Sequence, residues 1–186
     1  FIGKIFKLNW TSIDLLLVIL GNQPIEDRMT EKKLYLEFVE AGVKGIISLY
    51  WDNAPKTCEA IWGALESPIR WPATHAIFSG PEIMMGLPEQ ARNFDPTSLP
   101  PENQTILPEE GELLWFYQPK NFFKIDPDEF WEIGMFYANG GRTFGPTGWI
   151  PCTYFGRMTE NLDAVAAQCR LIRTEGAKTV ELGRIA

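Results

Sequence analysis

Few side chains in this sequence have chemistry to offer, and most of them cluster in short stretches. His75 is the only histidine. Flanked by Thr74 and Ala76, it reads as a hydrogen-bonded wall residue of a strand rather than a catalyst. Ser79-Gly80-Pro81-Glu82 marks a bend. It leaves two readings for Glu82, either aimed into a cavity mouth beside His75 or solvated. Arg142 stands in Asn139-Gly140-Gly141-Arg142-Thr143. Its flanking glycines allow close backbone approach, and a guanidinium binds a carboxylate through two parallel hydrogen bonds. The alternative is a surface arginine on a hairpin turn. Cys152, with His75 and Glu82, supplies the residue types of a nucleophile and its base, although a lone cysteine beside an apolar strand is usually an inert small hydrophobe. Asp126, Asp128, Glu129 and Glu132 read as a solvated face or a helix N-terminus, not as an acid/base pair.

Other chemistries lack their residues. One histidine and three scattered cysteines, Cys58, Cys152 and Cys169, have no paired ligand spacing, which argues against a structural zinc site. No GxSxG, P-loop or dinucleotide fingerprint is present, so no cofactor is expected. A net charge of −7 gives no electrostatic footprint for nucleic acid or an anionic membrane. The longest apolar run, Leu15 to Leu20, is far too short to span a bilayer. The odd cysteine count, with no secretory segment read at the start, predicts a reducing cytoplasm. Accordingly, the sequons at Asn9-Trp10-Thr11 and Asn103-Gln104-Thr105 are read as chance.

The elements that must position these residues are mostly strands. With 186 residues, 45% of them apolar and 13% aromatic, the chain is long enough for one barrel core. Lys33 to Glu40 alternates, with Leu34, Leu36 and Phe38 on one side and Lys33, Tyr35 and Glu37 on the other. Ala41-Gly42 turns the chain into a returning strand over Gly45 to Trp51. Asp52 or Asn53 then caps a helix with Pro55 in its first turn and Cys58, Ile61, Trp62 and Leu65 on its buried side. Strands follow at 73–78 and 82–86. The long proline-rich connection 87–110 reads as either a functional lid or a disordered excursion, and its prolines, with Phe94, Leu99 and Ile106 as apolar anchors, favour an ordered lid. Glu112 to Tyr117 and Phe130 to Tyr137 are strand-like. Thr159 caps a second helix, whose buried side is Leu162, Val165, Ala166, Cys169, Leu171 and Ile172. Gly176 ends it before a closing strand over Lys178 to Leu182. Residues 1–30 form an extension, part of the same domain or an interface arm for a homo-oligomer. Residues 31–186 form the barrel.

Three segments carry a family resemblance. Ala54-Pro55-Lys56-Thr57 opens the first helix, His75 to Gly86 runs through two strands, and Phe155 to Val165 turns into the last helix. Each looks like the matching cyclophilin segment. The Ala54 to Trp62 run, with Pro101-Glu102-Asn103, more closely resembles a bacterial family of unknown function with a cyclophilin-like fold. The resemblance implies a closed, mainly β barrel capped by two helices. It also implies that the arginine, glutamine and histidine used by cyclophilins fall here on Ala76, Met84 and Cys152. The indole position falls on Thr147, with Trp149 two residues away. Losing the guanidinium removes five fixed donors, so the expectation is a protein without prolyl isomerase activity. It would bind a small carboxylate- or amide-bearing metabolite in a barrel-side pocket, with His75, Ser79, Glu82, Asn103, Arg142 and Cys152 as the ligand contacts. The alternatives are a residual isomerase or peptide-binding module, and a structural oligomeric subunit.

Overall fold

The computed structural model describes residues 32–122 and 128–185. The readings made for residues 1–30, and for Asp126, lie outside these described residues. In chain order the elements are β1 (Lys33–Phe38), β2 (Val43–Leu49), α1 (Pro55–Ala64), β3 (Ile69–His75), β4 (Glu82–Gly86), β5 (Gln104–Thr105), β6 (Glu112–Gln118), β7 (Phe130–Phe136), β8 (Phe144–Gly145), β9 (Gly148–Trp149), β10 (Cys152–Glu160), α2 (Leu162–Glu175) and β11 (Lys178–Ile185). Eight strands pair in the order β2-β1-β11-β3-β4-β7-β6-β10, and β10 pairs back onto β2 to close a barrel. Every pairing is antiparallel. Closure leaves the ring of eight with no free hydrogen-bonding edge.

Strand alternation separates two apolar regions. Leu34, Leu36 and Phe38 of β1, Ile83 and Met85 of β4, Leu113 and Trp115 of β6, and Trp131, Ile133 and Met135 of β7 fill the barrel interior. The intervening residues of the last three strands face outward. There Leu114, Phe136, Cys152 and Tyr154 form a second, smaller cluster on the outer wall. β10 serves both regions because its register with β6 shifts between Tyr154 and Gly156. This bulge turns Tyr154 outward and Phe155 inward, and frees the Phe155 carbonyl to accept from the Tyr50 amide at 2.8 Å and the Cys58 thiol at 3.2 Å.

The helices start differently from the sequence expectation. α1 has Ala54 at its N-cap and receives no side-chain cap from Asp52 or Asn53. Instead, Glu102 reaches in from the 87–110 connection and accepts from the Lys56 amide at 3.1 Å, the Thr57 amide at 2.9 Å and the Thr57 hydroxyl at 2.9 Å. A carboxylate there meets both the orphan amides and the positive end of the helix dipole. α2 begins after Asn161, held at φ 61°, so Thr159 is strand rather than cap. Its buried side is Val165, Ala166, Cys169 and Ile172, while Leu171 is exposed. Gly176 ends it at φ 88°, as the sequence indicates.

The 87–110 connection carries two short 3-10 turns, at Glu89–Ala91 and Pro96–Ser98, and β5, which pairs with β10. Phe94 enters the barrel core between Trp115 and Trp131, with ring centroids at 5.5 and 5.3 Å. Among the described residues, no helix is long and apolar enough to cross a membrane.

Candidate site on the outer barrel wall

The outer faces of β4, β7, β6 and β10 form the floor of a cleft of about 190 Å³. Two segments rise as its lips. Ala76 to Ser79 follows β3, and Thr143 to Pro146 leads through the β8–β9 hairpin to Ile150. The lips carry apolar side chains into solvent, with Ile77 87%, Phe78 48% and Phe144 39% exposed. Trp149 meets Phe144 edge-to-face, with ring centroids at 5.2 Å. The floor is mostly apolar, with Met84, Leu114, Phe116 and Phe130.

Two carboxyl groups lie in this floor. Glu82, the first residue of β4, is 3% exposed, and Glu132, in the middle of β7, is 7% exposed. They converge over Gly134. A Cβ built on Gly134 would stand 2.5 Å from Glu82 Oε1 and 3.2 Å from Glu132 Oε1, so only a glycine leaves room for both. The barrel pairing produces this arrangement: Gly134 lies opposite Met84 on one side and Leu114 on the other, and Glu132 precedes it by one outward position. Burial pushes the Glu82 carboxyl up to about 7, partly opposed by a hydrogen bond from Ser79. Burial, followed by the neighbouring Glu82 charge, holds Glu132 well above the usual carboxylate range. The two therefore titrate as one pair. Among the described residues no cation is ion-paired with either carboxyl.

Other polar groups surround the pair. Thr143 lines the cleft at 4% exposure, and its hydroxyl lies near the Cys152 thiol and the Tyr154 hydroxyl without meeting hydrogen-bond geometry with either. Tyr154 lies in the outer cluster, fully buried, with its hydroxyl likewise unpartnered. Burial pushes the Cys152 thiol up to about 12, which keeps it protonated and poorly nucleophilic at neutral pH. Among the described residues no group of three or more potential ligands forms a metal site.

Of the residues expected from sequence, Ser79, Glu82 and Cys152 line this cleft and the other three do not. His75 is held at the barrel end. Its Nδ1 donates to the Ala76 carbonyl at 2.8 Å, and its Nε2 meets the Tyr137 hydroxyl at 2.8 Å. Both ring nitrogens are thereby used, as in a wall residue. Arg142 is exposed, and its backbone amide donates to the Ser79 carbonyl at 3.0 Å, tying the two lips together. The guanidinium lies beside Gly80, outside the cleft lining. Asn103 donates through Nδ2 to the Tyr154 carbonyl at 2.8 Å and anchors the long connection to β10. Glu132 is the residue the sequence reading placed on a solvated face, and burial in a strand between apolar neighbours corrects that reading. Its signal was its place in Phe130-Trp131-Glu132-Ile133-Gly134, one outward step from a glycine. Ala76, Met84 and Cys152, the positions matched to the cyclophilin arginine, glutamine and histidine, all line the same cleft.

A family model described as "Protein of unknown function (DUF3830)" matches residues 36–184. No curated protein matches the chain. Among solved structures, McbB in complex with tryptophan is similar at a TM-score of 0.53 and 15% identity, over 81% of this chain and 44% of that one. This chain thus spans less than half of McbB's length. The Mimivirus cyclophilin is similar at a TM-score of 0.50 and 11% identity, over 83% of this chain and 87% of that one. A hypothetical protein from Archaeoglobus fulgidus, AF2241, has 21% identity and a TM-score of 0.46, over 84% and 96% of the two chains. The chain belongs to the DUF3830 family, and its fold is a cyclophilin-like barrel.

Proposed function

We propose that this member of a family of unknown function binds a small, mostly apolar ligand in the outer-wall cleft through the ligand's N–H groups, and does not isomerise prolyl bonds. The observation that carries this reading is the burial of Glu82 and Glu132 together in an apolar floor. Ionised carboxylates only accept hydrogen bonds, and a protonated one adds a single donor. Such a floor repels a carboxylate ligand and favours one that brings donors. Of the two metabolite classes expected from sequence, the amide-bearing one fits and the carboxylate-bearing one does not.

The absence of isomerase activity rests on the cleft lining. Ala76 and Met84 offer no donor to a proline amide nitrogen, and the Cys152 thiol is a weak one. A protease-coupled assay on a proline tetrapeptide tests it. The expected rate is the uncatalysed one, and acceleration of about 10²-fold, equivalent to about 2.7 kcal/mol of barrier lowering, would overturn it. The binding half is tested by thermal shift with benzamide, benzylamine and benzoate. Stabilisation by either nitrogen compound, and none by benzoate, is expected.

A further inference from the structure

We infer that the Glu82–Glu132 pair is the recognition site for a primary ammonium group, so that the ligand is a small amine with an apolar body. This deepens the proposed function and rests on it, because it chooses among N–H donors. Two carboxyls have been drawn out of water into a floor of Met84, Leu114, Phe116 and Phe130, with no cation ion-paired to them among the described residues. Burial of this kind is costly unless a counter-charge or hydrogen bonds offset it. Ser79 stands within hydrogen-bonding reach of Glu82, and among the described residues nothing comparable offsets the burial of Glu132. The missing component is a positive charge.

A second, independent feature points the same way. Thr143 Oγ1 is buried in the cleft lining, on the lip opposite Ser79, close to the Cys152 thiol and the Tyr154 hydroxyl but outside hydrogen-bond geometry with either. An alkylammonium has three N–H donors. One oxygen from each carboxyl and the Thr143 hydroxyl oxygen make three acceptors. A neutral amide brings at most two donors and a carbonyl that needs a donor in return. The apolar lips, Phe78 and Phe144 among them, then cover the hydrocarbon body, whose size is limited by a cleft of about 190 Å³.

Ammonium binding also has a proton signature. A cation between the carboxyls favours their ionised forms, so uptake releases a proton from the pair. The other titratable group lining the cleft is Cys152, held as the thiol by burial, and Arg142 stands exposed beyond the Ser79 lip.

The experiment is isothermal titration of the full chain with butylamine, benzylamine and benzamide near pH 7, in two buffers of different ionisation enthalpy. The amines are expected to bind with proton release, and benzamide at least tenfold more weakly without it. Glu82→Gln and Glu132→Gln, each checked for native circular dichroism, are expected to weaken amine binding at least tenfold. Thr143→Val, which removes one acceptor without a charge, is expected to weaken it about threefold to tenfold. Benzamide binding as tightly as the amines, or amine binding without proton release, overturns the ammonium assignment and leaves the broader reading standing. No binding of any of the three down to a Kd of about 1 mM overturns both.

Discussion

Glu102 caps the first turn of a helix from 45 residues beyond Thr57: its Oε2 accepts from both the Thr57 amide and the Thr57 hydroxyl at 2.9 Å. The contact joins α1 to the long connection and so links closing the barrel end to ordering residues 87–110. Side-chain caps contribute roughly 0.5–2 kcal/mol, and a carboxylate at the N-terminus adds a dipole contribution of a few tenths. Glu102→Ala is therefore expected to destabilise the fold by about 1–2 kcal/mol in urea unfolding, and Glu102→Gln by less. No measurable change for Glu102→Ala would mean the cap is not used.

The buried carboxyl pair makes a prediction about pH. In the folded chain Glu82 is raised from the ordinary 4.5 to about 7, and burial also holds Glu132 well above the ordinary range. Below about 4.5 both carboxyls are protonated in folded and unfolded chains alike, and they cost nothing. As pH rises above about 4.5 the unfolded chain releases these protons while the folded chain retains them until its raised values are reached, so stability falls over that window. Without ligand, the unfolding free energy is expected to decline from pH 5 to pH 8. Glu132→Gln should flatten the decline and raise the Tm at pH 8 by about 4–8 °C, for about 2 kcal/mol relieved, with little effect at pH 4.5. A wild-type curve that rises over that range would contradict it.

Phe94 tests the long connection. Its ring meets Trp115 and Trp131 in the barrel core, and the Arg92 guanidinium lies over Trp131 at 5.3 Å. Removing a large buried aromatic costs roughly 3–5 kcal/mol, and Phe94, being only half-buried, should lie at or below the low end of that range. Phe94→Ala is expected to move the first proteolytic cut into residues 87–110. Early cleavage there in the wild-type chain would refute the anchored arrangement.

Much of the barrel is legible in the sequence because its signals are local. The alternation of Leu34, Leu36 and Phe38 and the positive-φ glycine at Gly176 need no partner to be read. The site is less legible because its parts are distant in sequence. Glu132 lies in a cleft lined also by residues of the 76–79 and 143–150 segments, and nothing near residue 132 announces those neighbours. Adjacency in sequence points to Asp52 or Asn53 as the helix cap, whereas Glu102 supplies it across a fold contact. His75 drew attention as the only histidine, yet its two hydrogen bonds account for it. The resemblance to cyclophilins located the cleft, since Ala76, Met84 and Cys152 all line it. It did not reveal the carboxyl pair.

Gly134 gives the sharpest test of the site's geometry. Its missing side chain makes room for the Glu82 carboxyl, whose Oε1 would stand 2.5 Å from an added Cβ, and for Leu114 Cγ at 3.0 Å. The carboxyl end of Glu82 is the movable part, so Gly134→Ala should displace it from Glu132 without breaking β7. Overpacking of this kind costs about 1–3 kcal/mol. Moving the carboxyls apart relieves their mutual repulsion, so the steep loss of stability between pH 5 and 8 should become shallower even as the fold weakens. Amine binding should fall at least tenfold. Gly63, a helical glycine with nothing within 4 Å of an added Cβ, is the matched control. Gly63→Ala is expected to stabilise the chain by about 0.5–1 kcal/mol and leave the pH profile and binding untouched. If Gly134→Ala retains the wild-type pH slope and amine affinity, Glu82 does not depend on the space above Gly134, and the carboxyl pair is not held by this glycine.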